Sequence, residues 1–171
     1  MMAIRDDLLS EDISVVAEAL DKLDASLRRK NDHGDLLDVL LILSSSNDPD
    51  IVQKASWCAG KMGQNKVNNK RIISLLIGLR DHDDGTVREN AAWGIGETAG
   101  TVEMSAVSID VISQLLDDAD RDVRGMAAWA AGRFHHKCGH MTDTVRRKLV
   151  GLLNDPSEYV REAAKFALGK D

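Results

Sequence analysis

Aromatic residues are scarce in this sequence: 171 residues hold three tryptophans, two phenylalanines and one tyrosine. So few rings argue against an aromatic-rich β-sandwich and leave the core to Leu, Ile, Val, Ala and Met, which suits a helical array. The 43% hydrophobic content is enough for a folded chain of one domain, or of two only if both are small. Cysteine is nearly absent as well. Cys58 and Cys138 stand too far apart for a disulfide-stapled secreted scaffold and fit a reducing compartment, so a cytoplasmic location is expected. The start, MMAIRDDLLSEDIS, has no apolar signal core, and the longest apolar run, LLDVLLIL from Leu36, is short and interrupted by Asp38, so no membrane partner is expected. Basic charge is in deficit, 22 Lys plus Arg against 28 Asp plus Glu for a net charge of −6, which disfavours nonspecific binding to nucleic acid. Neither G-x-x-x-x-G-K nor H-E-x-x-H occurs, and nothing in the residues calls for a cofactor.

What the sequence does have is repetition. The strings IVQKASWCAG, VRENAAWGIG, VRGMAAWAAG and VREAAKFALG start at Ile51, Val87, Val123 and Val160, with offsets of 36, 36 and 37 residues. A polar turn precedes each, and an apolar segment precedes each turn: LLDVLLIL, IISLLIGL, VISQLL and VRRKLVGLL. One repeat is therefore two helices. Asp48-Pro49 and Asp155-Pro156 each place an acceptor at the N-cap and proline at the first helical position, and Asp84 and Asp120 can cap without proline. Residues 4–29 read as a degenerate first pair, with Val15, Ala19 and Leu23 at the repeat's apolar positions. The expected architecture is all-α, a right-handed stack of about five antiparallel helix pairs over 4–29, 34–63, 69–99, 105–136 and 142–169, forming a single domain over 1–171.

At about 100° per residue, Val87, Ala91, Gly94 and Ile95 share one arc, as do Val123, Ala127, Ala130 and Ala131, and Val160, Ala164, Ala167 and Leu168. This arc should meet the first helix of the same repeat. Beside it runs a small stripe of Ser56 with Gly60, Ala92 with Gly96, and Ala128 with Gly132. Glycine inside a helix costs about 1 kcal/mol relative to alanine, so its recurrence at Gly60, Gly96, Gly132 and Gly169 calls for close approach between successive second helices. Lys165 interrupts the stripe in the last pair, as a polar end would. Trp57, Trp93, Trp129 and Phe166 share another position, about 240° from the apolar start and nearly opposite the buried arc. Stacked repeats would bring these rings into a row flanked by Glu89 and Glu162 on one side and Lys61, Glu97 and Arg133 on the other.

These repeats resemble the HEAT-repeat family, in particular the short form of the phycocyanobilin lyase subunits, which looks like D-x-x-V-R-x-x-A-A-x-A-L-G. Asp84, Val87, Arg88, Ala91, Ala92, Ile95 and Gly96 match it, then Asp120, Val123, Arg124, Ala127, Ala128, Ala130 and Gly132, then Val160, Arg161, Ala164, Ala167, Leu168 and Gly169. The first two pairs depart most, with Gln53 where Arg is expected. The resemblance implies an α-solenoid with the ring position on its concave side. It also implies that Arg88, Arg124 and Arg161 form a structural ladder, with Arg88 and Arg124 tied to acids such as Asp84 and Asp120. Some HEAT-like enzymes bind iron through His-Glu dipeptides, but Arg88-Glu89 and Arg161-Glu162 stand at the corresponding surface and His-Glu occurs nowhere.

Two readings of the ring row stay open at this stage: space-filling over the small stripe, or a binding surface formed by Trp57, Trp93, Trp129, Phe166, Glu89, Glu97 and Arg133. The partner would be another protein, with self-association a variant. The residues point to no enzyme activity. The resemblance offers one alternative, a chromophore-handling lyase-like subunit in which the rings stack on a bilin and Arg124 or Arg133 meets its carboxylates, and another, an appendage that positions an enzyme. The run RFHHKCGHM gathers His135, His136, Cys138 and His140, weak candidates for zinc that read first as a solvated helix end. Cys58 occupies a small apolar position and reads as core.

Overall fold

The computed structural model describes residues 4–67, 69–99 and 102–170, with side chains for all but 69 and 102–107. It is an all-α right-handed solenoid of about five antiparallel helix pairs. The helices are α1 (Ile4–Leu8), α2 (Ile13–Arg28), α3 (Leu37–Leu43, entered through a 3-10 turn at Gly34–Leu36), α4 (Pro49–Gln64), α5 (Asn69–Gly78), α6 (Gly85–Glu97), α7 (Val102–Leu115), α8 (Arg121–Cys138), α9 (Asp143–Leu152) and α10 (Glu158–Leu168). The even-numbered helices pack on one another in order, α2 to α4 to α6 to α8 to α10, and the odd-numbered helices cover them as a second layer. Between the layers lie the branched apolar residues of the repeat, among them Leu23, Ile51, Ile72, Leu76, Val87, Ile95, Ile112, Val123 and Leu149, all buried. Phe134 joins this core and Cys58 is buried beside it, with its thiol pushed up to about 12 by burial.

Local chemistry sets where the long helices begin. Asp48 takes the amides of Asp50 and Ile51 at 3.0 and 3.2 Å, with Pro49 at the first helical position. Asp84 takes those of Thr86 and Val87 at 2.8 and 3.4 Å, and Asp120 takes that of Asp122 at 2.8 Å. The expected Asp155 cap is corrected: the N-cap of α10 is Ser157. Asp155 stands five residues before Val160, as Asp118 stands five before Val123, whereas Asp48 stands three before Ile51, so Asp155 and Pro156 fall just outside the helix.

A second acceptor recurs two residues before the cap of each even-numbered helix. Ser10, Ser46, His82, Asp118 and Asp155 accept the amides of Asp12, Asp48, Asp84, Asp120 and Ser157, at 3.1, 3.1, 3.0, 2.9 and 2.8 Å. Each turn is thus closed by a side chain before its helix starts.

The repeat glycines divide into two kinds. A Cβ on Gly60 would meet Trp93 Cζ3 at 2.6 Å, one on Gly96 would meet Trp129 Cζ3 at 2.7 Å, and one on Gly132 would meet Phe166 Cε1 at 2.6 Å. Helix backbones also come close there, since the same added atoms on Gly96 and Gly132 would lie 3.0 Å from the Cα of Ala130 and Ala167. Gly169 does not belong with them. It is the C-cap of α10 at φ +65°, where glycine ends the helix.

Candidate functional site

The rings of the repeat do form one row along the layer of even-numbered helices. Each of Trp93, Trp129 and Phe166 rests on the glycine of the preceding long helix. Trp57 has no such seat, because Asp24 occupies the corresponding position in α2. Its indole N–H instead donates to Asp24 Oδ1 at 2.8 Å. Trp57 and Trp93 stack with centroids 4.5 Å apart and planes 13° from parallel. Seating on glycine does not hide the rings. The three tryptophans are half-buried, and Phe166 keeps 43% of its surface exposed.

Charged side chains brace the first part of the row. Lys61 Nζ lies 5.4 Å from both the Trp57 and Trp93 centroids, and Arg28 lies 5.8 Å from that of Trp57. Arg133 covers Trp129 at 5.4 Å and reaches Glu97 at 3.4 Å. Glu97 and Arg133 are thus paired with each other across α6 and α8. Past Trp129 the row widens into a cleft of about 410 Å³ lined by Trp93, Met126, Trp129, Tyr159, Glu162 and Phe166. Tyr159 lies outside the repeated ring position, yet it packs over Gly125 one helix away, as the other rings pack over theirs. The signal for it was Gly125 itself, the one glycine at a position held elsewhere by Gln53, Glu89 and Glu162.

One acid of this end, Glu89, has no ion pair among the described residues. The Glu89 carboxyl is pushed up by burial and then by the neighbouring charges of Asp122 and Asp120. Burial, with Glu89 and Asp122 nearby, likewise pushes up the Tyr159 phenol. Glu162 pairs with Lys165 at 2.7 Å on the open surface.

The arginine ladder is present, but with different acids from those expected. Arg88 donates from Nε and Nη2 to Asp118, at 2.7 and 2.9 Å, and Arg124 does the same to Asp155, at 2.9 and 3.2 Å. The remaining Nη1 of each returns to two carbonyls of its own turn: His82 and Asp83 for Arg88, Asp118 and Ala119 for Arg124. Arg161 makes the same two backbone contacts, to Asp155 and Pro156. Asp84 and Asp120 cap their helices, and each guanidinium meets the second turn acceptor of the following repeat. These pairs hold the Asp118 and Asp155 carboxyls below the usual carboxylate range. In the second pair Gln53 stands in for arginine and donates to Asp84 at 2.7 Å; the acceptor position of that turn is His82, whose single acceptor nitrogen takes the Asp84 amide, whereas Asp118 and Asp155 each have two oxygens to offer.

The histidine run is split by the helix end. His135 is lowered by burial, His136 Nε2 lies 2.9 Å from the Phe166 carbonyl oxygen, and Cys138 ends α8 ahead of the left-handed Gly139 cap, with His140 beyond it. Among the described residues no group of three or more His, Cys, Asp or Glu is placed to hold a metal ion. No helix among the described residues is long and apolar enough to cross a membrane.

Paired helices, a packed inner layer and a ladder between turns define an α-solenoid of stacked repeats. Residues 72–169 match the family described as HEAT repeats, and the chain belongs to that family. No curated protein matches the sequence. Among solved structures, a designed armadillo repeat protein in complex with the peptide (KR)4 is similar at TM-score 0.71 and 18% identity, over 97% of this chain and 79% of that one. A computationally designed armadillo repeat protein for modular peptide recognition gives 0.69 and 18%, over 97% and 79%. An engineered protein gives 0.74 and 20%, over 96% and 76%. At these identities the likeness is one of fold.

Proposed function

We propose that this chain is a non-catalytic protein-binding or assembly module whose partner lies along the concave row of Trp57, Trp93, Trp129 and Phe166. One observation carries the reading: Trp93, Trp129 and Phe166 are seated on glycines, Trp57 stacks on Trp93, and the four still present a partly exposed aromatic strip that opens into a cleft. Contiguous aromatic surface of this kind is where binding energy concentrates. Glu97 and Arg133 serve by bracing Trp129, while Phe166 is open to a ligand and Glu89 is half-buried nearby. The designed relatives in fold include one in complex with a peptide and one made for modular peptide recognition, which is in keeping with this use of the surface.

The bilin-handling alternative has less support. Arg124, the residue that would meet a pigment carboxylate, is 17% exposed and bound to Asp155, and Arg133 is bound to Glu97.

Selection of a displayed peptide library against the immobilised protein tests the proposal. Selected peptides should lose at least tenfold in affinity on Phe166→Ala, with the helical signal and melting temperature retained. Peptides indifferent to Phe166→Ala and to Trp129→Phe would place binding elsewhere and sink the reading.

A further inference from the structure

The two ends of the ring row differ in what already covers them. Trp57 and Trp93 share Lys61, Trp57 also has Arg28, and Trp129 has Arg133. Among the described residues no lysine or arginine lies over Tyr159 or Phe166, which are 42% and 43% exposed; Phe166 meets the tilted His136 ring on one side, with centroids 5.0 Å apart. Their cleft has room for a side chain, about 410 Å³, and its walls are rings, Met126, Ala163 and Glu162.

Charge points the same way. Glu162 lines the cleft, and Glu89 and Asp122 lie close enough to bear on Tyr159. Asp122 and Glu162 have partners in Arg121, at 3.6 Å, and Lys165. Glu89 is half-buried among Asp120 and Asp122, so an anionic group would be repelled there and a cation drawn in. An aromatic face with a carboxylate beside it is the arrangement that holds ammonium and guanidinium groups.

We infer that the cleft of Trp129, Tyr159 and Phe166 receives an arginine or lysine side chain from an extended segment of a partner protein, with Glu89 and Glu162 supplying the opposing charge. This rests on the docking reading above and specifies the chemistry of its occupant. The long apolar stem of either side chain lies against the rings while its charged head reaches the carboxylates. The covered end of the row, with its own cations, takes the neutral or acidic part of the same segment.

The test uses fluorescein-labelled octapeptides that alternate glycine with arginine, lysine, glutamate or serine, read by anisotropy against the whole protein at low and at physiological salt. The arginine and lysine peptides should bind at least tenfold more tightly than the other two and weaken with salt. Glu89→Gln and Glu162→Gln should each cost about fivefold for these peptides, the scale of one partly screened charge pair, and Glu89→Asp should restore most of it. Tighter binding of the glutamate or serine peptide, lost on Phe166→Ala, would overturn the cationic occupant and keep the groove as a docking surface. Sedimentation as a dimer that Phe166→Ala dissociates would assign the cleft to a second copy and overturn the inference. If no octapeptide binds and the protein stays monomeric, both the inference and the docking reading fail.

Discussion

The indole of Trp93 lies against Gly60 so closely that a single methyl group on that glycine would sit 2.6 Å from the ring. The same relationship recurs between Trp129 and Gly96 and between Phe166 and Gly132. Helix propensity alone favours alanine at all three glycines by about 1 kcal/mol, so their retention reflects the ring that rests on each.

Gly96→Ala should therefore destabilise the fold by about 1–3 kcal/mol, as overpacking does, because the added methyl meets the Trp129 ring and the backbone of the facing helix together. Gly151→Ala is the control. Nothing lies within 4 Å of its added methyl, and it should stabilise by up to about 1 kcal/mol. Urea denaturation of the two variants would show opposite shifts, and a stabilising Gly96→Ala would refute the seating argument.

Arg124→Met keeps the apolar stem of the side chain and removes its charge. Asp155, 6% exposed, is then left without its ion pair, and two carbonyls lose a donor. The expected loss is about 2–3 kcal/mol, below that of a fully buried pair because the guanidinium edge keeps contact with water. Arg121→Met, on a side chain that is 71% exposed, should change stability by less than about 0.5 kcal/mol. Equal losses for both would remove the ladder's structural role.

The same pairs set an acid limit. Asp118 and Asp155 ionise at lower pH in the folded chain than in the unfolded one. Their contribution is complete above the unfolded carboxylate value of about 4 and disappears as pH falls through the lower folded values. Asp155→Asn should melt lower than the parent at neutral pH and lose less on acidification. Parallel melting curves from neutral pH down to about 2 would contradict this.

The two thiols should differ sharply in reactivity. Cys58 is 1% exposed, donates to the Leu20 carbonyl at 3.7 Å and has its thiol pushed up to about 12, while Cys138 is partly exposed at the end of α8. An aromatic disulfide reagent at mildly alkaline pH should titrate one thiol in the native protein and two after denaturation. Rapid native reaction of both would place Cys58 outside the core.

Much of this architecture was legible because it is specified locally. The 36-residue period, the apolar arcs and the caps at Asp48, Asp84 and Asp120 depend on neighbours within one or two turns of chain. The ladder acids did not, since choosing between Asp120 and Asp118 requires knowing which turn lies above Arg88. A clue was nonetheless present: Ser10, Ser46, His82, Asp118 and Asp155 recur two residues before the cap of each even-numbered helix, all able to accept a hydrogen bond. Tyr159 was missed for another reason. Its repeat position is held elsewhere by Asp50, Thr86 and Asp122, none of them a ring, and the register between α8 and α10 sets it over Gly125. The row's double character, packed below and exposed above, was likewise beyond a helical projection, which gives an angle but not the depth of a ring.

Every charged link of the ladder points forward, from Arg88 to the turn before α8 and from Arg124 to the turn before α10. A repeat therefore brings with it both the hook it extends to its successor and the eye that receives its predecessor's. Copying the segment from Val87 to Asp122 in tandem would supply one more such hook and eye and add one ring to the aromatic strip. Growth by duplication is thus written into the direction of a single side-chain contact.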